Sequence, residues 1–306
     1  MTLHTGLDVL SAAQRGGYGV GAFNTDNLET TLAIIDAAET TRSPVMLAIT
    51  SGALSYSKNR IADIALIEAR QASVPVAVHL DHGDSFEVCM WCIRHGFTSV
   101  MIDKSHEDEA TNIRQTRRVV DAARAVGVSV EAEIGKLGGI DAAAEAGDGS
   151  AQLTTADEAV RFVEGAGCDT LAIAVGTAHG PNKGIGRPHI AIERIGEIRA
   201  RVDAPLVMHG ASSVPADVVE RFNAAGGHLE GAVGIHDDDI RQAIGRGMCK
   251  VNVGTDLRIA SSTAIREFVR SHPGEIDMRK ILKPARAEMA RVIEAKMVLL
   301  GSAGKG

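Results

Sequence analysis

Histidines follow three of the short β-branched runs in this 306-residue chain, at the points where strands are expected to end. His79 and His82 follow the first run, His179 the second and His209 the third. Three imidazoles, one from each of these three positions, with one coordination position left open, are typical of a catalytic zinc-type site. Glu133, on a further run, could be a fourth, exchangeable ligand. A single histidine is more often structural, but three at strand ends favour a metal site.

A carboxylate and a set of small polar residues accompany these histidines. Asp81 immediately precedes His82, which suits a general acid or base near a metal. The alternative is a carboxylate that only orients a histidine. Further candidates could cradle a phosphate through hydroxyl and amide groups, although turn chemistry alone would also favour such residue types. These candidates are Ser212, Asn252 and Thr255, with Gly180 and Gly210.

Elements that could bring these residues together are visible in the pattern of the whole chain. Strands are predicted at residues 18–23, 45–50, 76–80, 99–103, 129–134, 170–176, 206–209 and 249–253. Helices are predicted at 28–41, 61–72, 86–95, 107–126, 157–165, 190–202, 215–225 and 257–271. This alternation predicts an α/β fold, a (β/α)8 TIM barrel whose strand ends share one mouth. An open doubly wound sheet is the alternative, but no Gly-rich fingerprint follows an early strand.

The remaining segments complete this prediction. A terminal helix at 284–300 forms a C-terminal extension, and residues 1–306 are predicted to be a single domain. Three segments exceed the usual loop length, and such loops are often functional. They are residues 135–156, 177–189 and 226–238.

Composition excludes several classes of partner. The net charge is −7 and no basic block occurs, which argues against nucleic acid. No apolar run is long enough for a membrane span, and residues 1–11 lack a signal-peptide pattern. The lone CxxC of Cys89 and Cys92 is interpreted as a buried helix face, and Cys168 and Cys249 are too far apart in sequence to suggest a pair. Reduced thiols indicate a cytoplasmic protein.

In order along the chain, seven strings resemble those of the class II fructose- and tagatose-bisphosphate aldolases. They are GAFN, which contains Asn24, HLDHGDSFE (79–87), SVMID (99–103), VEAEIGKLGG (130–139), GTAHG (176–180), VMHGASSVP (207–215) and KVNVGTDLR (250–258). The resemblance implies a metal-dependent aldolase that cleaves a ketose bisphosphate into dihydroxyacetone phosphate and glyceraldehyde 3-phosphate. The metal would stabilise the enediolate of dihydroxyacetone phosphate.

The resemblance also implies roles for particular residues. Zn²⁺ or Co²⁺ would be held by His82, His179 and His209, with Glu133 as an alternate ligand, while Asp81 moves the proton of the C4 hydroxyl. A monovalent cation, Na⁺ or K⁺, would lie near Gly180 and Gly210. Arg279 would reach across a subunit interface to the far phosphate, which implies a homodimer or homotetramer. The implied substrate and phosphate contacts are Asn24, Gly180, Gly210, Ala211, Ser212, Asn252, Val253, Gly254, Thr255 and Arg279.

Two positions depart from the family pattern. Relatives carry an acidic pair after LGG, whereas this chain has Ile140 and Asp141. Fructose-type relatives often have Asp where this chain has Gly254, so the preferred ketose stays open between fructose and tagatose. We expect the loop at 136–156 to close over substrate and bring Asp141 to the metal site as a catalytic acid, unless Asp141 is only a solvated carboxylate.

Three alternatives stay open beside a fructose or tagatose aldolase. One is an aldolase of the same family acting on another ketose phosphate. Another is a metal-dependent barrel hydrolase, which commonly carries His-x-His on its first strand, a motif missing after Phe23 and Asn24. The third is a catalytically impaired sugar-phosphate-binding barrel, against which Asp81 and the three histidines argue.

Overall fold

Eight parallel strands close into a barrel, with each strand hydrogen-bonded to the next along the chain and the eighth paired with the first. The computed structural model describes residues 3–135, 153–178 and 188–306. The prediction of a TIM barrel is confirmed. The strands are β1 (Val20–Asn24), β2 (Val45–Thr50), β3 (Val76–Gly83), β4 (Ser99–Ile102), β5 (Ser129–Ile134), β6 (Thr170–Ile173), β7 (Leu206–Met208) and β8 (Met248–Val253).

Helices surround the barrel, and several begin after a residue whose side chain caps the helix N-terminus. Asn27 and Thr155 start two of them with capping boxes, in which side chain and backbone satisfy each other's donors. The helices are α1 (Gly6–Gly16), α2 (Leu28–Thr41), α3 (Ser51–Tyr56), α4 (Arg60–Gln71), α5 (Phe86–His95), α6 (Glu109–Arg124), α7 (Ala156–Ala166), α8 (Ile192–Arg199), α9 (Ala216–Ala224), α10 (Asp237–Gly245), α11 (Thr255–Ser271) and α12 (Met278–Leu300).

Small side chains fill the lower half of the barrel interior. Ala22, Ala48, Ala77 and Ala172 belong to a buried cluster that also includes residues of α1. Larger apolar residues on the opposite face of each strand pack against the surrounding helices. Burial on both faces explains why the strands appear as continuous apolar runs.

The first helix closes the amino end of the barrel and was not predicted. Thr5 caps it through a capping box with Asp8, and Val9, Leu10 and Ala13 pack into the interior cluster. Glycines at both ends of α1 weakened the helical pattern, since Gly is a poor helix former. Tertiary packing against the strands supplies the missing stability.

Other boundaries differ from the predicted ones for local reasons. β6 ends at Ile173 instead of 176, where Thr154 joins the hydrogen bonding: its N–H donates to the Ala174 carbonyl, and the Ala174 N–H is shared between Thr154 Oγ1 and the Ile134 carbonyl. α12 begins at Met278, before Pro284, because Asp277 accepts a hydrogen bond from the Arg279 amide and caps the helix. The short α3 and α10 were also not predicted.

The four cysteines are all buried and unbridged. Burial raises the pKa of Cys89 and Cys168 to about 12 and that of Cys249 to about 11, and it also raises the pKa of Cys92. The Cys89–Cys92 pair lies on the buried side of α5, as interpreted from the sequence. These thiols are packing residues with little thiolate character.

Candidate active site at the carboxyl ends of the strands

Polar side chains from three strands point into the upper half of the barrel. Residues two apart on a strand share a face, and each of these strands contributes such a pair. The six side chains are at most 9% exposed. They are His79 and Asp81 of β3, Glu131 and Glu133 of β5, and Lys250 and Asn252 of β8.

His82 joins this inward set through an irregularity of β3. The register between β3 and β4 shifts between Leu80 and Gly83, and His82 adopts φ 51°, a conformation rare outside glycine. A bulge of this kind re-aims a side chain. Consecutive residues Asp81 and His82 can therefore both face the barrel mouth.

Two overlapping groups of side chains have the geometry of a metal site. One ligand atom from each of Asp81, His82 and His209 lies within 4.8 Å of the others, and the same holds for His82, Asp103 and Glu133. The rings of His82 and His209 are 4.7 Å apart between centroids. The cluster thus draws on β3 and β5 and on the residues just after β4 and β7.

Carboxylates hold both histidines in place. His82 Nδ1 is 2.7 Å from Asp103 Oδ2, while His209 Nε2 is 2.9 Å from Glu131 Oε1 and its Nδ1 is 2.8 Å from Glu133 Oε2. Burial alone would lower the pKa of His209, but Glu133 and Glu131 outweigh it and raise that pKa to about 10. Burial would also lower the pKa of His82, but the hydrogen bond that Asp103 accepts and the charge of Asp81 outweigh it, and the pKa of His82 is raised.

A buried lysine balances the charge beneath these histidines. Lys250 Nζ lies 2.7 and 2.9 Å from the two carboxylate oxygens of Glu131, and 3.2 Å from His79 Nε2. Because a lysine ammonium only donates, His79 Nε2 must accept, which leaves its Nδ1–H to donate to Ser99 Oγ at 2.8 Å. Burial and the charge of Lys250 lower the pKa of His79 to about 3, so this imidazole is neutral. His79 belongs to neither of the two metal-competent groups among the described residues, so of the two β3 histidines His82 is the one in the cluster.

Asp81 is fixed from two sides by amides. Asn24 Nδ2 donates to Asp81 Oδ2 at 3.1 Å, and Asn252 Nδ2 donates to Oδ1 at 3.0 Å. Burial would raise the pKa of Asp81, but the positive charges of His82 and Lys250 lower it to about 2. An ionised carboxylate is therefore held beside the histidine cluster. Within the described residues, Asn252 Oδ1 is buried without a hydrogen-bond partner.

The candidate phosphate contacts converge where β7 and β8 end. Ser212 Oγ accepts the backbone N–H groups of Gly254 at 3.3 Å and of Thr255 at 3.1 Å, at the N-terminus of α11. Gly210 has φ 60°, and a Cβ there would lie 2.5 Å from the Ala178 carbonyl oxygen. The side chains of Ala211 and Val253 pack in the apolar core, so these two offer only backbone groups.

The other predicted site residues fall into two groups. His179, Gly180 and Asp141, with most of the loop at 136–156, lie outside the described residues. Arg279 is exposed on 90% of its side chain, and its Nη2 is 2.8 Å from Asp277 Oδ2 in its own chain. The structure thus places Arg279 on the surface at the start of α12.

Comparison with known proteins agrees with this arrangement. A model of the class II fructose-bisphosphate aldolases matches residues 4–305. The chain belongs to this family. It is 52% identical to the fructose-bisphosphate aldolase of Thermus caldophilus, with 99% of each chain covered. Identity to the Giardia intestinalis enzyme of the same name is 43%, with 99% of this chain and 94% of that relative covered.

A solved structure supports the same assignment. The YdjI aldolase of Escherichia coli K12 superposes with a TM-score of 0.82 and 31% identity, with 99% of each chain covered. Membership makes this chain a lyase that breaks a carbon–carbon bond. In the described part of the chain, no helix combines the length and apolar character required to cross a bilayer.

The donor set fits the divalent metal on which this family generally depends. Imidazole nitrogens and carboxylate oxygens suit zinc-type ions. Asp103 and Glu131 each hold one nitrogen of a histidine, which is how carboxylates commonly fix the ring and tautomer of a metal ligand. His82 and His209, with the Glu133 carboxylate that contacts His209 Nδ1 at 2.8 Å, are the residues that would hold such an ion.

Sequence reasoning recognised the strand-end residues but missed some of their partners. Asp103, Glu131 and Lys250 all lie in strings that carry the family resemblance, but the sequence alone indicates no role for them. The signal for Lys250 was its spacing of two residues from Asn252, which places both on the inward face of β8. Its partner could not be read from sequence, because Glu131 is 119 residues away and lies across the barrel.

Proposed function

We propose that this protein catalyses the reversible aldol cleavage of fructose 1,6-bisphosphate, or of tagatose 1,6-bisphosphate, to dihydroxyacetone phosphate and glyceraldehyde 3-phosphate. The observation that carries the proposal is Asp81, an ionised and amide-held carboxylate next to the metal-competent cluster. Membership of the aldolase family supports the reaction class.

We propose His82, His179 and His209 as the ligands of Zn²⁺ or Co²⁺, with Glu133 as an alternate ligand. Such an ion supplies Lewis-acid polarisation of the substrate carbonyl and offsets the negative charge that develops. Glu133 Oε2 lies 2.8 Å from His209 Nδ1 and 3.9 Å from His82 Nδ1, so its carboxylate lies close to both rings.

The chain's own residues then perform the proton transfers. Asp81 takes the proton of the C4 hydroxyl, the C3–C4 bond breaks, and the C4 carbonyl leaves as glyceraldehyde 3-phosphate. The bonding electron pair stays with C3, which receives a proton, with Asp141 as the proposed donor. Asn24 and Asn252 keep Asp81 aimed at the hydroxyl, since each fixes one carboxylate oxygen.

Substrate binding is proposed at the ends of β7 and β8. Ser212, Thr255, Gly180 and Gly210, with backbone groups of Ala211, Val253 and Gly254, would hold the phosphate of the dihydroxyacetone half at the N-terminus of α11, where helix N–H groups favour anions. A monovalent cation, Na⁺ or K⁺, is proposed near Gly180 and Gly210.

The proposal also covers the oligomeric state and the cellular compartment. Arg279 would bind the far phosphate of a substrate molecule held in the neighbouring subunit of a homodimer or homotetramer. The four buried and unbridged cysteines support a reducing compartment, the cytoplasm.

The test is release of glyceraldehyde 3-phosphate from each bisphosphate, with and without a chelator. We expect cleavage that the chelator abolishes and added Zn²⁺ restores. The Asp81→Asn variant should bind Zn²⁺ normally, while its kcat falls by about 10²–10⁴-fold, the usual contribution of a general acid or base. Zinc-binding protein without cleavage of either bisphosphate would favour another ketose phosphate or a sugar-phosphate-binding role. Retention of more than about a tenth of kcat by Asp81→Asn would reduce Asp81 to a residue that orients a ligand.

A further inference from the structure

A lysine from the C-terminal helix is buried against the loop that follows β7. Lys296 of α12 is 6% exposed, although lysine is almost never buried without a partner. Its Nζ donates to Ser213 Oγ and lies 3.3 Å from Asp256 Oδ2 and 3.6 Å from Asp237 Oδ1. This ammonium is thus the centre of a polar cluster separate from the histidines.

Asp256 connects this lysine to the backbone of the β7 loop. It lies in the first turn of α11, is 2% exposed, and accepts the N–H of Ser213 at 3.0 Å and that of Val214 at 2.8 Å. Val214 has φ 44°, which a β-branched residue adopts only when its surroundings hold it there. The two hydrogen bonds to Asp256 restrain this strained turn, together with the Ser213 Oγ bond to Asp237 and the Ile235 N–H bond to the Ser212 carbonyl.

The loop after β7 and the first turn of α11 are also joined by hydrogen bonds that run in the opposite direction. Ser212 Oγ accepts the N–H groups of Gly254 and Thr255, while the carboxylate of Asp256 accepts those of the next two residues of the loop. Each segment therefore fixes the other. A buried carboxylate needs a compensating charge, and Lys296 supplies it from α12.

We propose that Lys296 is a positioning residue for phosphate binding, which holds the loop at 212–214 on the first turn of α11. The inference rests on the proposed function, in which Ser212 and the N-terminus of α11 bind the phosphate of the dihydroxyacetone half. Without the charge of Lys296, Asp256 becomes an unpaired buried carboxylate, and the loop can leave its strained turn. Ser212 and the α11 N–H groups then lose their common orientation.

The test compares two substitutions of Lys296 with a control on the same helix. Lys296→Met removes the charge and keeps most of the side-chain length, whereas Lys296→Arg keeps the charge. Arg286→Met is the control, because it breaks an ion pair between α12 and Asp36 of α2, away from the loop. Calorimetry with inorganic phosphate gives Kd directly, and steady-state kinetics give KM and kcat.

We expect the Kd for inorganic phosphate to rise by about tenfold in Lys296→Met, which corresponds to the loss of one charge-assisted hydrogen bond. The KM for a bisphosphate and for a ketose 1-phosphate should rise alike, because both carry this phosphate. The kcat and the Zn²⁺ content should stay near wild type. Lys296→Arg should recover part of the affinity, and Arg286→Met should behave as wild type.

Several results would overturn the inference. Unchanged phosphate affinity in Lys296→Met is one, and a fall in kcat with unchanged KM is another. If Lys296→Met does not fold, Lys296→Gln removes the charge but keeps a hydrogen-bond donor, and normal phosphate binding in that variant would likewise refute the inference. If the wild-type protein binds no phosphate and cleaves no ketose bisphosphate, the proposed function fails and the inference with it. Wild-type cleavage beside an unaffected Lys296→Met refutes the inference alone.

Discussion

At the scale of single residues, the histidine cluster is organised by the carboxylates around it. Asp103 fixes His82, and Glu131, itself paired with Lys250, fixes His209. Burial would raise the pKa of Asp103, but the hydrogen bond with His82 holds it well below its usual range. The ring of His82 is therefore fixed through its Nδ1 by an anion, within the group of side chains that could hold a metal.

We expect Asp103→Ala to lower Zn²⁺ affinity by about 10–100-fold, the usual effect of removing the partner of a metal-ligating histidine. Competition with a chromogenic chelator measures this directly. Asp63→Ala is a matched control, because Asp63 holds His95 in a similar pair, 2.8 Å long, at the surface. Equal Zn²⁺ affinity in Asp103→Ala and in the control would show that Asp103 does not support the metal.

The sequence predicted which residues would gather, but not how they would pair. Position at strand ends was enough to single out Asp81, His82, Glu133 and His209, since parallel strands bring their carboxyl ends together. The pairing depends on barrel closure and on one bulge in β3, which directs both Asp81 and His82 inward. Neither feature leaves a local signal in the sequence.

At the scale of elements, the turn after β8 packs closely against Asn24 at the end of β1. A Cβ on Gly254 would lie 2.0 Å from Asn24 Oδ1, so a larger residue requires Asn24 to move. Asn24 is also the donor to Asp81 Oδ2. Gly254, where the chain departs from the family pattern, therefore leaves the space that Asn24 occupies.

We expect Gly254→Ala to lower kcat/KM by about tenfold, because Asn24 must leave Asp81 and one hydrogen bond to a charged group is lost. Steady-state kinetics with both bisphosphates will measure the effect. Gly52→Ala is the control at the same end of the barrel, since the nearest atom to its Cβ would be Thr50 Oγ1 at an ordinary 3.6 Å. Full activity of Gly254→Ala would mean that Asn24 does not orient Asp81.

The helices that follow a predicted strand in the βα alternation were mostly predicted, whereas α1, α3 and α10 were missed. The eight strands and the main surrounding helices follow from alternating apolar runs. In contrast, α3 and α10 are short, and α10 begins where a loop at 226–238 was expected. Three aspartates in its first turn favour this start, because negative charge stabilises a helix N-terminus. Aspartate is also common in turns, so these residues alone did not distinguish the start of a helix from a loop.

At the scale of the whole molecule, the start of α12 presents groups that its own barrel does not use. Ile276 is 90% exposed, and the Arg279 side chain is equally exposed beside Asp277. A guanidinium in this position is suited to bidentate phosphate recognition. The proposed shared phosphate site requires that the carboxyl end of a second subunit's barrel lie against this surface.

We expect Arg279→Ala to raise KM for a bisphosphate by about tenfold or more, as the loss of a charge-assisted contact implies. The KM for a ketose 1-phosphate should not change, because that substrate lacks the far phosphate. Arg291→Ala is the control, since Arg291 lies on the same helix, is exposed, and also pairs with a carboxylate, that of Glu288. An equal change with both substrates, or a fully active monomer, would contradict a shared site.

The four buried thiols have a practical consequence for locating that second subunit. Alkylating reagents attack the thiolate, and burial keeps all four native cysteines protonated and inaccessible. The native chain therefore behaves as a cysteine-free background for labelling. A thiol introduced by Ile276→Cys would be the single position that takes a spin label. The distance between two such labels would then measure the spacing of neighbouring α12 helices in solution, without any native cysteine being replaced.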